Sequence, residues 1–317
     1  MRRIGLIFLF LLVTAKSVAQ DYPARDIRSV CNFAAGSGAD IVVRYYSDAL
    51  SKLAGKPVIV ENKPGAQGLL ATDFVAKSRP DGYTLMITPA SSTFAIAPHM
   101  FKKLPFDPVK DFEPVTTLLT LSFTVAVDAA GPLRTIDDLI ARLKAKPGNG
   151  FYGTQSNSGQ VAAELFKEST GLKTAYVPFK VTGDAYANLL GGNIDFMSVD
   201  STWAATLHPA KVRILAVTSA KRNSSLPDVP TLAELGMRDI DVAPWWGVVV
   251  PAGTPRPVVE RLAGWFNQVN AMPETRQFLA RQAADAFPGS PEAMAALIKT
   301  EIERWGRYVR LAKIEPQ

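Results

Sequence analysis

The sequence predicts an α/β fold with two lobes, joined by two extended crossings that leave a cleft between the lobes. Short strand-like apolar segments alternate with helical segments, and small-residue turns connect them. This alternation breaks at residues 113–127 and then restarts, as in a chain that leaves one α/β unit and enters another. A second long apolar stretch, 242–250, offers a return path. Two crossings of this kind predict a hinged clamp.

The first residues have the pattern of a cleavable export signal. Arg2 and Arg3 precede an apolar run at 4–13, and small residues up to Ala19 match a signal-peptidase site. A bilayer-spanning helix needs about 20 apolar residues, so this run is too short to span a membrane. We expect residues 1–19 to be a signal peptide, cleaved after Ala19, and the protein to be periplasmic. A buried or signal-anchor helix is the alternative.

Composition is typical of a globular protein and gives no sign of nucleic-acid binding. The chain is 47% hydrophobic and 20% charged, and the 298 residues after Ala19 suit two domains. Of the net charge of +6, +3 remains beyond residue 19, and basic residues are scattered. This balance is compatible with an anionic ligand but does not require one. A single cysteine, Cys31, excludes an internal disulfide.

The first lobe is predicted to be a series of strands and helices connected by turns. Apolar runs, small-residue turns and helix breakers predict strands at 27–33, 57–60 and 84–87, with helices at 39–53 and 69–77. This series predicts a parallel sheet with helices on both faces.

The rest of the chain is read in the same way. The stretch 113–127 is extended, and Thr135 caps a helix at 135–146. Further strands are predicted near 152, 175–177, 195–198 and 213–217, with the return stretch at 242–250 and helices at 255–270, 274–283 and 291–311. We expect lobe 1 to comprise 20–121 and 244–317, and lobe 2 to comprise 122–243.

Two small-residue turns are candidate ligand contacts. Residues 33–40 (FAAGSGAD) follow the first strand, and 153–160 (GTQSNSGQ) precede a helix predicted at 161–169. The free N–H groups and the dipole of a helix amino terminus favour an anion at such turns. Each turn is also compatible with a simple strand-to-helix connection, and the first lacks the third glycine of a dinucleotide fingerprint.

Three charged side chains each have two alternative roles. Asp40 either stabilises the dipole of the following helix or contacts the ligand. Lys180 either pairs with a ligand carboxylate or is an exposed lysine. Asp200 follows a strand end and would receive an ammonium group if the ligand is amphoteric.

Four other side chains also have two alternative roles each. Ser91 and Ser92 follow a strand end and either face the cleft or cap the next helix, and Ser201 has the same ambiguity. Trp246 lies on the return crossing, where it either packs at the hinge or lines the cleft with an aromatic wall.

Catalytic and metal-binding patterns are absent from the sequence. His99 and His208 are the only histidines, neither lies in a nucleophile-elbow pattern, and no G-x-S-x-G is present. Paired cysteines, H-E-x-x-H and the phosphate-binding G-x-x-x-x-G-K-[ST] are also missing. We expect no catalysis, no metal and no cofactor.

Several ordered motifs resemble the Bug family, the extracytoplasmic solute receptors of tripartite tricarboxylate transporters. The motifs are Tyr22-Pro23, 60–66 (VENKPGA), 80–85 (PDGYTL), 106–112 (FDPVKDF), 189–192 (LLGG), 215–222 (LAVTSAKR), 226–231 (LPDVPT) and 251–255 (PAGTP). The resemblance implies a type II periplasmic-binding-protein fold. It also implies a ligand carboxylate held by loop amides and hydroxyls, partly through water.

The resemblance places the first-lobe turn at 33–40, the carboxylate loop at 154–159 and a further segment at 179–184. Together with the readings above, the expected ligand-binding residues are Phe33, Ala35, Gly36, Ser37, Gly38, Asp40, Ser91, Ser92, Thr154, Ser156, Asn157, Ser158, Gly159, Lys180, Thr182, Asp200, Ser201 and Trp246. Gln67 replaces a glycine common in the family, and the loop 154–160 is about two residues shorter than usual. Ligand identity therefore does not carry over.

We therefore expect a monomeric periplasmic protein that captures a small carboxylate-containing solute for the membrane subunits of a tripartite tricarboxylate transporter. A receptor that presents its solute to a sensor kinase shares this fold and site and is the alternative. An α/β enzyme is the third possibility.

Overall fold

The computed structural model describes residues 22–146, 148, 150–179, 181–207, 210–238 and 240–316. The expected signal peptide, Lys180 and His208 lie outside the described residues.

The chain begins with alternating strands and helices. It first forms β1 (Ile27–Cys31), α1 (Gly38–Ala54), β2 (Val58–Asn62), α2 (Leu69–Ala76), β3 (Thr84–Thr88), α3 (Ala97–Met100) and β4 (Phe112–Thr120). A short 3₁₀ turn, Ala66–Gly68, leads into α2, and a π-helical turn, Ser91–Ile96, leads into α3.

The middle and the end of the chain continue this pattern. The middle forms β5 (Phe123–Asp128), α4 (Ile136–Lys144), β6 (Phe151–Thr154), α5 (Asn157–Thr170), β7 (Ala175–Pro178), α6 (Thr182–Leu190), β8 (Phe196–Asp200), α7 (Ser201–Leu207) and β9 (Val212–Val217). The end forms β10 (Trp245–Pro251), α8 (Arg256–Ala271), α9 (Pro273–Arg281), β11 (Asp285–Ala286) and α10 (Pro291–Leu311).

Two separate sheets define the two lobes. The first sheet has the strand order β11-β4-β10-β3-β1-β2, and the second has the order β7-β6-β8-β5-β9. The chain changes sheet between Thr120 and Phe123, and it returns before Trp245. Beside this crossing, the amide of Leu121 donates a 2.8 Å hydrogen bond to the carbonyl of Pro244, so the two crossings lie side by side. These observations support the lobe boundaries that we propose, 20–121 with 244–317 and 122–243.

Both sheets are mixed, and the expectation of a parallel sheet was therefore wrong in part. Strands β1, β2 and β3 are parallel, as are β6, β7 and β8. However, β10 is antiparallel to β3 and β4, and β5 is antiparallel to β8 and β9. The reason is topological: β5 and β10 directly follow the crossings and enter their sheets from the hinge end.

Two element boundaries also differ from expectation. The extended stretch 113–127 is two strands, because the chain leaves the first sheet after Thr120 and enters the second at Phe123. Helix α5 begins at Asn157, four residues before the expected start at 161, because the side chain of Ser156 caps it.

Local signals account for most helix ends. The side chain of Ser37 accepts a hydrogen bond from the amide of Asp40, and Gly55 ends α1 at a left-handed φ of 65°. Thr135 and Asp138 form a reciprocal capping box at the start of α4. These caps satisfy amides that have no acceptor within the helix.

Apolar burial fixes the helices on the sheets and connects the lobes. Val43, Tyr46 and Leu50 of α1 are fully buried, and burial of each such side chain stabilises the fold by about 1.5–3 kcal/mol. Helix α10 packs with lobe 1 residues through Met294, whereas Trp305 near its end packs in the core of lobe 2. None of the described helices combines the length and apolar character that crossing a membrane requires.

Candidate functional site

The expected binding turns follow the carboxyl ends of parallel strands. The turn 33–40 follows β1, Ser91 and Ser92 follow β3, and these strands are parallel neighbours. The turn 154–159 follows β6, Asp200 ends β8, and these strands are also parallel neighbours. Each lobe therefore brings its candidate residues to one edge of its sheet.

The two lobes meet at these edges. The Oγ atoms of Ser92 and Ser158 lie 3.3 Å apart, within hydrogen-bonding distance. The side-chain amide of Asn157 donates a 3.2 Å hydrogen bond to Oε1 of Gln67. The loops after β2 and β3 of lobe 1 thus contact the start of α5 in lobe 2.

The first-lobe turn is exposed, and there is space around its glycines for further side-chain atoms. Ala35, Gly36 and Gly38 are exposed, and a Cβ atom on either glycine would meet nothing within 4 Å. Gly36 has a φ of 79°, a left-handed conformation that favours glycine. The backbone here is accessible to a small ligand.

Asp40 braces this turn from inside. Its side chain is 1% exposed and accepts hydrogen bonds from the Gly36 amide at 2.8 Å, from Arg44 at 2.8 Å and from Asn62 at 2.7 Å. Burial alone would raise the pKa of Asp40, but these hydrogen bonds lower it to about 2. The carboxylate is therefore ionised at neutral pH, and its hydrogen bonds to Gly36, Arg44 and Asn62 position the turn.

The second-lobe turn is closed and tightly packed. Thr154 is fully buried, and its Oγ1 accepts a 3.3 Å hydrogen bond from the Ser156 amide. Ser156 in turn accepts a 3.1 Å hydrogen bond from the Gly159 amide. A Cβ atom on Gly159 would lie 2.3 Å from Thr154 Oγ1 and 2.9 Å from the Ser198 carbonyl, so only glycine fits there.

The first turn of α5 carries no acidic side chain. Gly159 donates its amide to the Ser156 cap, whereas the amides of Asn157 and Ser158 precede any acceptor within the helix. These two N–H groups and the helix dipole make the start of α5 suitable for an anion.

Two predicted residues, Ser91 and Ser201, are buried and make hydrogen bonds within the protein. Ser91 is fully buried and accepts a 3.2 Å hydrogen bond from the amide of Trp245, the first residue of β10. Ser201 is also fully buried and donates a 2.7 Å hydrogen bond to the carbonyl of Ala283. Both serines therefore connect loops near the crossings.

The aromatic pair Phe33 and Trp246 forms one wall beside the first-lobe turn. Their ring centroids are 6.0 Å apart with an interplanar angle of 22°. Trp246 is 6% exposed, so most of its surface packs in the protein, while Phe33 is half-buried. Thr182, at the start of α6, is also half-buried.

Asp200 is the second carboxylate near the cleft edge, and its pKa is shifted in the opposite direction to that of Asp40. Burial raises the pKa of Asp200, and hydrogen bonds from the Trp203 amide and from Thr202 offset only part of this effect. Its Oδ1 accepts from the Trp203 amide at 3.0 Å, which caps α7.

Metal-binding geometry is not found in the described part of the chain, where no three His, Cys, Asp or Glu side chains cluster. His99 lies with its Nε2 atom 2.7 Å from the carbonyl of Ile302, a structural contact.

A groove of about 980 Å³ lies outside the cleft, between β1, β2 and α2. None of the expected binding residues lines it, and several of its charged side chains are paired, as in Arg28 with Glu61 at 3.1 Å. The turns on either side of the cleft remain the candidate site.

Gln67 is the contact that sequence reasoning did not place in the site. It stood out only as a non-glycine residue in a turn where the resembling family has glycine. Its partner, Asn157, lies 90 residues further along the chain, so no local pattern could pair them.

Two α/β lobes, two crossings and facing turns at the strand ends define a protein of the periplasmic-binding-protein class, and solved structures of that class share this fold. The model of the tripartite tricarboxylate transporter family receptor matches residues 42–314. The chain belongs to this family, which confirms the resemblance to the Bug proteins.

Three similar proteins show how far the likeness extends. BugT of Bordetella pertussis is 30% identical over 97% of this chain and 95% of its own length. The structure of R. palustris Rpa4515 with adipate is 30% identical with a TM-score of 0.84, covering 94% of this chain and 100% of that one. MatC from Rhodopseudomonas palustris with bound malate is 29% identical with a TM-score of 0.76, covering 91% and 100%.

Proposed function

We propose that this protein binds a small carboxylate between its lobes and delivers it to the membrane subunits of a tripartite tricarboxylate transporter. The observation that carries the proposal is the meeting of two turns, one from each lobe, at the carboxyl ends of parallel strands. Adipate in one relative and malate in another support a carboxylate as the ligand class.

Within this proposal, the start of α5 holds the carboxylate. The start of α1 already has the Asp40 carboxylate, which neutralises part of its dipole and occupies the Gly36 amide. The first two amides of α5, like those of α1, have no acceptor in the helix, but the start of α5 has no acidic side chain. An anion therefore gains more at the second-lobe turn.

The remaining expected residues take complementary roles. Ala35, Gly36 and Gly38 let the rest of the ligand approach the backbone of lobe 1, and Phe33 with Trp246 provides an apolar wall. Asp40, Ser91 and Ser201 position loops without contacting the ligand. Direct contacts are proposed for Ser92, Thr182, Lys180 and the loop residues Ser156, Asn157, Ser158 and Gly159, whereas the buried Thr154 positions the loop.

We further propose that the protein is periplasmic after removal of residues 1–19, acts as a monomer and returns its ligand chemically unchanged. The family description as a transporter receptor supports this role.

A thermal-shift series tests the carboxylate proposal. Adipate and malate are compared with the diamide of adipic acid, which has the same carbon skeleton without charge. A ligand at a hundred times its Kd adds about 2.7 kcal/mol. At about 2–4 °C per kcal/mol, the melting temperature should rise by about 5–10 °C with a bound acid and stay constant with the diamide.

The screen is extended to other mono-, di- and tricarboxylates, because relatives differ in the ligand they hold. A flat response to all of these acids, or equal shifts with acid and diamide, would contradict the proposal. Recovery of the unaltered acid from the complex by mass spectrometry checks that binding involves no chemistry.

A further inference from the structure

The turn that connects β2 to α2 has an unusual backbone. Four consecutive residues have positive φ angles: 132° at Gly65, 45° at Ala66, 52° at Gln67 and 93° at Gly68. Alanine and glutamine rarely adopt this conformation, since their Cβ atoms crowd the backbone there. Such strained backbone persists only where the surrounding contacts hold it, and it is common at functional sites.

The turn is held against the end of β1. A Cβ atom on Gly68 would lie 2.6 Å from Nδ2 of Asn32, so the backbone of the turn contacts that side chain directly. The Gly68 amide donates a 2.9 Å hydrogen bond to Gly65, and Thr72 donates a 2.9 Å hydrogen bond to the Gly68 carbonyl. These contacts fix the point from which the Gln67 side chain extends.

The Gln67 side chain crosses to lobe 2. Its Oε1 accepts a hydrogen bond from Asn157, the first residue of α5, at 3.2 Å. The next residue of α5, Ser158, is 3.3 Å from Ser92 of lobe 1. Two side chains of lobe 1 therefore contact two consecutive residues in the first turn of one helix.

The two lobe 1 anchors share a support. Thr88 donates a 3.3 Å hydrogen bond to Asn32, and its hydroxyl lies 2.9 Å from that of Thr93, in the same turn as Ser92. Asn32 also contacts Gly68. The loops after β2 and β3 are thus held in one arrangement, which presents Gln67 and Ser92 together.

We propose that Gln67 and Ser92 form a latch on the first turn of α5, which stabilises the closed arrangement of the lobes and sets how long a ligand stays bound. Both contacts exist only when the lobes meet, so they favour the closed state over an open one. Gln67 is a positioning residue in this scheme and acts through Asn157 rather than through the ligand. The effect on ligand release rests on the proposed function, whereas the effect on lobe closure does not.

The test variant, Gln67→Asn, shortens the side chain by one methylene group, and a neighbouring substitution serves as its control. Gln67→Asn keeps a residue that tolerates the left-handed conformation but is one methylene too short to reach Asn157. Ala66→Gly changes the neighbouring backbone position and leaves the Gln67 side chain in place. Ser92→Ala tests the second contact independently, in case Gln67→Asn fails to fold.

The first measurement needs no ligand. Lys52→Cys in lobe 1 and Lys144→Cys in lobe 2 place spin labels at exposed positions, while the native Cys31 is fully buried. Distance distributions between the labels report the open and closed populations. Gln67→Asn and Ser92→Ala should each shift the distribution away from the closed distance, and Ala66→Gly should not.

A double variant tests whether Gln67 acts through Asn157. If Gln67 acts through Asn157, adding Gln67→Asn to Asn157→Ala should produce no further opening. Full additivity of the two changes would overturn the coupling. An unchanged distance distribution in both Gln67→Asn and Ser92→Ala would overturn the latch itself.

The second measurement uses a carboxylate identified by the thermal-shift series. Loss of one hydrogen bond corresponds to a change of about two- to tenfold, and we expect the dissociation rate of Gln67→Asn to rise by that factor with little change in the association rate. A change in association rate alone would contradict the latch. If no carboxylate binds even to the unmodified protein, the proposed function fails, while the ligand-free distances still decide the latch.

Discussion

The turn that starts α1 in lobe 1 and the turn that starts α5 in lobe 2 share a plan but differ in charge. Each helix has a serine cap, Ser37 or Ser156, whose hydroxyl accepts from the amide three residues later. That third position is Asp40 in lobe 1 and Gly159 in lobe 2. The same place in the two helices thus holds a buried carboxylate on one side and a glycine on the other.

This difference shows how one local motif can serve two purposes. At the start of α1, the Asp40 carboxylate neutralises part of the helix dipole and accepts a hydrogen bond from the exposed turn before the helix. Where the protein has glycine instead, the turn closes on itself and leaves the helix start free for an external anion. The comparison supports our proposal that the ligand carboxylate binds at the start of α5.

The largest effect is expected from Gly159→Ala. The new Cβ atom would clash with Thr154 Oγ1 at 2.3 Å and with the Ser198 carbonyl at 2.9 Å, and backbone cannot easily move. Such overpacking costs about 1–3 kcal/mol of unfolding free energy, and the displaced turn should lose the carboxylate-dependent thermal shift. Urea denaturation and the thermal-shift assay measure the two effects. Gly38→Ala, with nothing within 4 Å of its Cβ, is the control for stability; equal losses in both variants would contradict the comparison.

An intermediate effect is expected from Asp40→Asn, and it should depend on pH. Hydrogen bonds hold the folded-state pKa of Asp40 at about 2, below the usual aspartate value of 3.8. The stabilisation is therefore present above pH 4 and is lost as the pH falls from about 4 to 2. Allowing for partial screening, we expect the variant to be about 1–2 kcal/mol less stable at pH 6.

Urea denaturation of both proteins between pH 6 and pH 2 checks this prediction. The two unfolding free energies should converge at the acid end. A constant difference across the range would show that the charge of Asp40 is not what stabilises the first-lobe turn.

The smallest effect on stability, about 1 kcal/mol each, is expected from removing the serine caps with Ser37→Ala and Ser156→Ala. The two variants should lose similar unfolding free energy, because each removes one cap hydrogen bond. Ser156→Ala should weaken carboxylate binding several times more than Ser37→Ala, as measured by calorimetry. Equal losses of affinity would place the carboxylate between the turns rather than at α5.

Much of the fold follows from the sequence, because caps, glycine turns and apolar periodicity act over a few residues. Ser290 and Pro291 begin α10 at the predicted residue, and Thr135 caps α4 as expected. The two turns that we propose as the binding site were likewise predicted from their small residues. These features depend on backbone hydrogen bonds and φ preferences that neighbouring residues determine.

The tertiary structure decided what depends on partners distant in the chain. The sequence by itself determined that the chain alternates strands and helices in two units and places small-residue turns after β1 and β6. Only the folded arrangement brought Asn62 to Asp40, buried Ser91 against β10, and brought Gln67 to Asn157. Strand direction after the crossings was decided in the same way. The physical reason is that these outcomes depend on packing and hydrogen bonds between segments tens of residues apart, which local sequence patterns do not encode.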